Sequence, residues 1–320
     1  MNKQIFSLVL VLMLSILTGC GSTEEVKEEN NKVQVQTEEQ TGAFPVTITD
    51  DAGNQVTIEE QPKSIVSLLP SSTETLFALG LEEEIVGVSD YDNYPAEAAE
   101  KEKVGAMDLN LEAILALQPD IAFLQEYHAE NAADAITQLQ AVGVAVVIVE
   151  TGSTFEAVYD SIEMIGTATG KVKEAEQIVT DMQEKVNELK EKAEAVKETK
   201  KVWVEIAPQP DIFTAGSNTY INEMLEMIGA ENVAGHLEGW PKVSEEEAVH
   251  MNPDVILTTY GFYVDDAVEQ VLTREGWQEV HAVKNGDVYD VDSDKVTRAG
   301  PRLVDGMEEI AKVVYPDVFQ

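Results

Sequence analysis

The segment from Lys171 to Thr199 constrains the fold of this chain more than any other. It contains no Gly and no Pro, and its residues have high helix propensity, so we predict a single helix of 29 residues, about 43 Å long. Its larger apolar residues recur at helical spacing and form one apolar stripe: Ile178, Val179, Met182, Val186, Leu189 and Val196. Such a helix is either a surface helix or short coiled coil, or a strut that joins two lobes.

Short apolar strands alternate with helices on both sides of this segment, which is typical of mainly parallel sheets covered on both faces. A hairpin is predicted at 46–49 and 56–58, and Ser71-Ser72-Thr73-Glu74 has the spacing of a capping box that opens a helix. The other predicted strands are 64–69, 85–88, 120–124, 144–149, 201–206, 254–259 and 288–291, and the other predicted helices are 110–117, 131–141, 153–167, 221–228, 245–250, 265–272 and 303–314.

A sequence repeat relates the two sides of the long helix. Asn110–Ile121 aligns with Ser244–Val255: each has a capping residue, Glu two places later, Pro nine places later, and then Asp and an apolar strand. A weaker repeat pairs two Ser-capped helices that end in Gly. Chance recurrence of a common helix–Pro–strand unit is the alternative, but two repeats in the same order favour two similar lobes. They place Glu112 and Glu246 at equivalent helix N-termini, where the helix dipole favours a carboxylate.

The charge of the chain restricts its partners. Its 320 residues include 60 acidic and 21 basic side chains, which gives a formal net charge of −39. A field of this sign repels nucleic acid and anionic lipid headgroups, so we expect no nucleic-acid partner. The only arginines are Arg274, Arg298 and Arg302, fewer than a site for a highly charged anion usually needs.

The N-terminal sequence has the pattern of a lipoprotein signal peptide. An apolar run from Ile5 to Ile16 has signal-peptide length and is short for a membrane span. It is followed by Leu17-Thr18-Gly19-Cys20, which resembles the bacterial lipobox, and this resemblance implies acylation, for example by palmitate, of the only cysteine. An ordinary secretion signal with an unrelated Cys is the alternative. We therefore predict a signal peptide at 1–19 and a polar, flexible tether at 20–43.

Together, these features resemble a substrate-binding lipoprotein of an ABC importer, of the single-helix-hinge class that serves cobalamin, haem and ferric siderophores. The resemblance implies two Rossmann-like α/β lobes with mainly parallel sheets, at 44–169 and 201–320, a bridging helix at 170–200, and a ligand cleft between the lobes. The motifs most similar to the cobalamin-binding members are Pro70-Ser-Ser-Thr-Glu74, Val88-Ser-Asp-Tyr91-Asp-Asn-Tyr94-Pro95, Leu109-Asn-Leu-Glu112, Gly239-Trp240-Pro241-Lys-Val-Ser244 and Thr297-Arg298-Ala-Gly-Pro301-Arg302.

Several residue roles follow from this resemblance alone. Tyr91 and Trp240 match aromatic residues that pack on the corrin, and Asp294 and Arg298 match polar residues on the second-lobe side of the cleft. Met107 stands where the cobalamin-binding pattern has a tryptophan, so this chain departs from that pattern at this position.

The resemblance also implies partners and a location. Glu112 and Glu246 match surface glutamates that dock onto arginines of the two permease subunits. The implied protein is monomeric, extracytoplasmic and anchored to the cell membrane by lipid, and it works with a permease dimer and cytoplasmic ATPase subunits. Its ligand is transported cargo, so no cofactor is implied.

Other aromatic residues are candidates because they follow predicted strands, where ligands bind in open α/β sheets, although core packing is the alternative for each. These candidates are Phe213, Tyr260 and Tyr263.

The resemblance favours cobalamin, with a ferric siderophore or haem as the alternative ligand. The four histidines show no helical zinc spacing, so we predict no metal site built by the protein. No nucleophile elbow or phosphate-binding Gly-rich loop occurs, so no catalytic residue is proposed. A lipid-anchored extracellular hydrolase remains the alternative from another class of protein.

Overall fold

A computed structural model describes residues 44–150 and 152–320, which form two α/β lobes. The predicted signal peptide, Cys20 and the predicted tether lie outside the described residues. In the first lobe, five strands form a parallel sheet with the order β5-β4-β3-β6-β7, and a separate antiparallel hairpin precedes it. Its elements are β1 (Val46–Thr49), β2 (Gln55–Ile58), β3 (Ile65–Ser67), α1 (Pro70–Ala78), β4 (Ile85–Val88), a 3₁₀ helix (Ala96–Glu100), β5 (Glu102–Lys103), α2 (Leu111–Leu117), β6 (Ile121–Gln125), α3 (Glu126–Asn131), α4 (Ala133–Ala141), β7 (Ala145–Val149) and α5 (Phe155–Thr169).

The second lobe repeats this layered arrangement after the long helix α6 (Val172–Ala193). Four strands form a parallel sheet with the order β10-β8-β11-β12, and β9 pairs with β8 in the antiparallel direction. The fold-class prediction is therefore confirmed. The elements are β8 (Lys201–Ala207), β9 (Phe213–Thr214), α7 (Tyr220–Met227), β10 (Glu231–Asn232), α8 (Glu245–Met251), β11 (Val255–Thr258), α9 (Ala267–Leu272), α10 (His281–Asn285), β12 (Val288–Asp290), α11 (Ser293–Val296) and α12 (Leu303–Val314).

Helix α6 packs its apolar stripe against both lobes. Its buried residues are Ala175, Val179, Met182, Val186 and Leu189. They belong to one continuous hydrophobic core that includes Ile162 of α5, Leu225 of α7 and Ile310 of α12. In a free surface helix or a coiled coil, the apolar stripe would be left to contact another partner. Because the stripe instead packs against both lobes, the structure supports the interpretation of this helix as a strut.

The predicted length of the long helix is wrong at its C-terminal end. The helix has 22 residues and ends at Ala193, not at Thr199. The chain has to reverse direction there to enter β8 at Lys201, and Val196 packs beside Gly229 within that turn. The backbone N–H of Lys200 donates to the Tyr315 hydroxyl at 2.9 Å, which ties the turn to the C-terminal end of α12.

The predicted capping box at Ser71–Glu74 is also wrong. Helix α1 begins one residue earlier, at Pro70, and no side chain caps its N-terminus. Proline supplies a preset φ at the first helical position, so the helix starts without a capping hydroxyl. Glu74 is left free to point elsewhere, and its partners lie in the other lobe.

The sequence repeat corresponds to a structural repeat. Asn110 caps α2 and Ser244 caps α8, the latter with a full capping box. Both helices end in a left-handed residue, Gln118 with φ 50° and Asn252 with φ 45°. After the following proline, Asp120 accepts from the Ser64 backbone and Asp254 accepts from the Lys201 backbone, so each aspartate fixes the start of the neighbouring strand.

Candidate functional site

A cavity of about 850 Å³ lies between the two lobes. Its first-lobe wall is the segment that follows β4, and its second-lobe wall consists of the segments that follow β11 and β12. Carboxyl ends of parallel strands are where open α/β sheets bind ligands, so this cavity is the candidate site. It is lined by Asp90, Tyr91, Asp92, Asn93, Gly261, Phe262, Asp290, Val291, Asp292, Ser293, Asp294, Thr297 and Arg298.

An ion cluster of Glu74, Arg298 and Arg302 connects the lobes at the edge of this cavity; we call it the interlobe ion triad. Glu74 belongs to α1 of the first lobe and is only 4% exposed. The Arg302 Nε and Nη2 groups donate to its two carboxylate oxygens at 2.8 and 2.7 Å, and Arg298 Nη1 donates at 3.0 Å. Two-point binding of a guanidinium to a carboxylate is strong and directional, so the triad fixes the relative position of the lobes locally.

Polar groups on the cavity wall extend the triad. Arg298 Nη1 also donates to Asn93 Oδ1 at 2.8 Å, and Arg298 Nη2 lies 2.8 Å from Asp294 Oδ1. Asn93 Nδ2 donates to Asp294 Oδ2 at 2.9 Å, which makes a second contact between the lobes. Both terminal nitrogens of the Arg298 guanidinium are therefore already bonded to protein groups.

Arg302 is held on its other side by an aromatic ring. Its guanidinium carbon lies 3.7 Å from the ring centroid of Tyr94, in the first lobe, which is a cation–π arrangement. Burial alone would lower the pKa of the Arg302 guanidinium, but the hydrogen bonds and negative charge of Glu74 outweigh burial and raise that pKa. Arg302 therefore stays charged and holds Glu74 in place.

A second cavity, of about 880 Å³, lies on the other side of the triad. It is lined by Glu74, Tyr94 and Arg302, by the end of α1, and by the 3₁₀ helix. It does not lie at the ends of the sheet strands. We therefore take the cavity beside Tyr91 as the candidate ligand site.

Three of the predicted ligand residues come together in the cavity. Tyr91 stands on the first-lobe wall, and Asp294 and Arg298 stand on the second-lobe wall. Most of the Tyr91 side chain is exposed, whereas Asp294 and Arg298 are already engaged in hydrogen bonds between the lobes. The polar pair therefore contributes to the shape of the cleft as well as to its wall.

Tyr260 does not lie in the cavity. It is only 1% exposed, and its hydroxyl donates to Glu205 Oε1 at 2.6 Å in the core of the second lobe. Burial, followed by the Glu205 charge, raises the pKa of this hydroxyl, so it remains a donor. Glu205 is also held by Arg274 at 2.9 and 2.7 Å, which makes Tyr260 part of a buried polar network. We therefore leave Tyr260 out of the candidate ligand surface.

Phe262 is the aromatic residue that lines the cavity from this loop, and sequence analysis missed it. It is 73% exposed and packs edge-to-face with Tyr263 at 4.7 Å between ring centroids. Gly261 precedes it, and a Cβ there would approach Asp290 Oδ2 to 2.1 Å, so glycine lets the loop lie against the end of β12. The clustering of aromatic residues after β11 was a signal for this loop, but it did not indicate which ring faces the cavity.

The remaining predicted contacts do not line the cavity. Trp240 is 37% exposed and packs on Tyr220, whose hydroxyl donates to the Thr297 carbonyl at 2.8 Å. Phe213 is also 37% exposed, and the N–H of the next residue, Thr214, donates to the Pro241 carbonyl at 3.1 Å. Met107 is partly exposed in the first lobe, with its sulfur 3.5 Å from Gln125 Nε2.

His128 and His236 make hydrogen bonds to nearby backbone carbonyls. His128 is buried, and its Nε2 lies 2.7 Å from the Ala106 carbonyl; burial lowers its pKa. His236 is exposed, with Nδ1 3.1 Å from the Val233 carbonyl. Over the described part of the chain, no group of three or more His, Cys, Asp or Glu side chains is placed to hold a metal ion.

The two predicted docking glutamates are exposed and equivalently placed. Glu112 is in the first turn of α2, and Glu246 is in the first turn of α8. In the structural repeat, each of these two helices is followed by the left-handed capping residue and then by the proline. The two carboxylates are thus presented by matching elements of the two lobes.

Comparison with known proteins identifies the class. The family model described as periplasmic binding protein matches residues 65–295, so the chain belongs to the periplasmic binding protein family. It is 44% identical over 313 residues to the uncharacterized ABC transporter substrate-binding lipoprotein YvrC of Bacillus subtilis, covering 97% of this chain and 96% of that protein. This chain is accordingly an ABC transporter substrate-binding protein, from a family of solute-binding transport proteins rather than enzymes.

Two further relatives carry named ligands. The chain is 29% identical over 262 residues to the vitamin B12-binding protein of Vibrio parahaemolyticus, covering 81% of this chain and 92% of that one. A crystal structure of a possible iron-binding, periplasmic solute-binding protein from Staphylococcus epidermidis is 34% identical, with a TM-score of 0.72, and covers 80% of this chain and all of that one. Among the described residues, no helix has both the length and the apolar character needed to cross a membrane.

We predict that Glu74→Gln weakens the connection between the lobes. Gln keeps the size of Glu but leaves Arg302 without its counter-ion and Arg298 with Asp294 alone, and each arginine side chain is only 15% exposed. We expect the free energy of unfolding to fall by up to about 3 kcal/mol, the low end for breaking a buried ion pair. Urea denaturation measures this change, and solution scattering should show a wider separation of the lobes.

Asp211→Asn is the matched control, because the Asp211–Lys242 pair is exposed and lies within one lobe. Its effect should stay below about 1 kcal/mol. Equal effects of the two substitutions would contradict a structural role for the triad.

Proposed function

We propose that this chain captures a corrinoid in the interlobe cavity and delivers it to a membrane permease driven by ATPase subunits. The observation that carries the proposal is the pair of exposed rings, Tyr91 and Phe262, on opposite walls of one cavity. A corrin is nearly flat with apolar faces and an amide rim, so it needs facing apolar surfaces and scattered hydrogen-bonding groups. Asn93, Ser293 and Thr297 supply groups of that kind on the same walls.

The rim of the cavity supports a ligand of this size. A corrinoid is larger than a typical drug-sized ligand and would extend beyond the cavity onto neighbouring exposed side chains. Tyr263 packs against Phe262. Trp240 packs against Tyr220, whose hydroxyl donates to the carbonyl of the cavity-lining Thr297. Met107 offers an adaptable apolar contact on the first-lobe side.

The named ligands of relatives support cobalamin first and an iron complex second. The vitamin B12-binding relative matches along nearly its whole length, which favours the corrinoid. The more similar crystal structure, described as possibly iron-binding, favours a ferric complex as the second candidate, and a siderophore or haem would be its chemical form. Both candidates use the same cavity and the same transport role.

Binding of cyanocobalamin should quench tryptophan fluorescence through Trp240. The other tryptophans, Trp203 and Trp277, are buried in the second lobe, whereas Trp240 is exposed beside the cavity. We expect saturable quenching at micromolar ligand, and Trp240→Phe should remove most of it. Trp240→Ala should weaken binding about tenfold or more, because a large aromatic contact is lost.

Calorimetry with the same ligand separates a lost optical signal from lost binding. If cyanocobalamin produces neither heat nor quenching while a ferric siderophore or haem binds, the corrinoid assignment is wrong and the second candidate replaces it.

We further propose that Glu112 and Glu246 dock the receptor onto the permease through cationic groups. Exposed carboxylates on matching helices suit a partner with two similar subunits. Replacing both with Ala should leave ligand affinity unchanged, since neither lines the cavity, and should lower the rate of ligand uptake by cells at least tenfold.

A matched double variant replaces Glu156 and Glu269, exposed carboxylates in the first turns of α5 and α9. That variant should transport normally. Unchanged uptake in the Glu112/Glu246 variant would contradict the docking role.

Finally, we propose that Cys20 carries the lipid that holds the protein on the outer face of the cell membrane. The lipobox-like Leu17-Thr18-Gly19-Cys20 and the lipoprotein relative support this proposal. Cys20→Ala should remove acylation, so the protein should leave the detergent phase in phase partitioning and lose incorporated labelled palmitate. Retention of both properties by the variant would show that another feature anchors the chain.

A further inference from the structure

Aspartates dominate the charge of the interlobe cavity. Five of the lining residues are aspartates, whereas Arg298 is the only lysine or arginine among them. Such a wall produces a negative potential, and the low-dielectric surroundings of a cleft strengthen it.

The arginines near the cavity are not free to compensate a negative ligand. Arg298 is bonded to Glu74, Asn93 and Asp294, and Arg302 is bonded through two nitrogens to Glu74. An anionic ligand would have to break the interlobe ion triad before it could use either guanidinium. Ligand carboxylates or catecholates would also face the aspartates, and like charges in a desolvated site are costly.

The aspartates differ in how well they are neutralised. Asp294 pairs with Arg298, and Asp292 pairs with Lys295 at 3.2 Å. Asp290 accepts from Thr258 Oγ1 at 2.6 Å and from the Gly261 N–H at 3.0 Å. These three carboxylates therefore have partners of their own.

Asp90 and Asp92 form no ion pair through their carboxylates, although Lys103 Nζ donates to the backbone carbonyl of Asp92 at 2.9 Å and its charge reaches the Asp92 carboxyl. Asp92 is 3% exposed; its Oδ2 accepts from the Ser89 N–H at 2.8 Å and from the Ser89 hydroxyl, but its buried Oδ1 has no hydrogen-bond partner. Burial raises the pKa of Asp92, against the opposing effects of the Ser89 and Thr73 hydroxyl groups, the Ser89 N–H and the positive charge of Lys103. Asp90 is exposed, and its side chain makes no hydrogen bond within the described residues. A buried polar atom without a partner in a cavity wall marks a place that a ligand group can satisfy.

We propose that this cavity selects its ligand by charge, binding a cationic complex more tightly than a neutral one and a neutral one more tightly than an anionic one, with Asp90 and Asp92 facing the positive charge. This inference rests on the proposed function, because it concerns the same cavity. It holds for either cargo: a cationic cobalamin is preferred among corrinoids, and a cationic ferric hydroxamate is preferred over a ferric catecholate.

The test is calorimetry with two series of probes in low and high salt. The first series is aquacobalamin, cyanocobalamin and a cobalamin monocarboxylate, which differ by single charges; the second is ferrioxamine B and ferric enterobactin. We expect aquacobalamin to bind at least fivefold tighter than cyanocobalamin, and cyanocobalamin at least fivefold tighter than the carboxylate. Because salt screens exposed charges, these ratios should shrink at high ionic strength. The visible spectrum of bound aquacobalamin should show that no protein side chain has replaced its water ligand.

Variants assign the effect to the two aspartates. Asp90→Asn and Asp92→Asn should each bring the affinity for aquacobalamin closer to that for cyanocobalamin while changing the latter by less than twofold. Asp90 is exposed, so its variant remains informative even if Asp92→Asn fails to fold. Asp160→Asn, an exposed position on α5 that does not line the cavity, should keep the full preference.

The outcomes separate this inference from the proposed function. Binding without a charge order, or tighter binding of ferric enterobactin or the carboxylate, overturns the inference and leaves the proposed function intact. An absence of binding in both series overturns the proposed function and this inference with it.

Discussion

The Glu74 carboxylate is the point on which the geometry of the cleft depends. It is buried in the first lobe, yet all three of its hydrogen-bond donors are arginine nitrogens of the second lobe. One of those arginines, Arg298, also forms part of the cavity wall, so the bond that joins the lobes and the surface offered to a ligand share a side chain. Any ligand that recruits Arg298 therefore acts directly on the connection between the lobes.

Helix α6 complements this polar connection with an apolar one. Its buried stripe belongs to a hydrophobic core that runs without interruption from α5 through α6 to α7 and α12. Close-packed cores deform little, so the helix does not behave as a free hinge. A further bond, from the Phe155 N–H in α5 to Glu223 in α7 at 2.8 Å, joins the same region. Closure on a ligand is thus expected to be small and concentrated where the lobes meet through polar groups.

Local sequence patterns predicted much of the fold, but they could not predict contacts between residues far apart in the sequence. Features that depend on residues close together in the sequence matched the structure. They are the apolar stripe on α6, the caps at Asn110 and Ser244, and the repeated unit around those caps. Glu74 looked like a capping residue because its spacing fits that role, but its partners lie 224 and 228 residues away. Among the aromatic residues after β11, the direction of each ring depends on packing against Glu205 and Asp290, so Tyr260 was misplaced and Phe262 missed.

The structural repeat has a consequence for assembly kinetics. From the matching helices and equivalent carboxylates of the two lobes, we infer an approximate internal twofold axis. If the receptor docks through these carboxylates on a permease with true twofold symmetry, as proposed, it meets that surface in nearly the same way after half a turn about the axis. Two encounter orientations then become productive instead of one, so the orientational restriction that slows protein association is eased by a factor of about two.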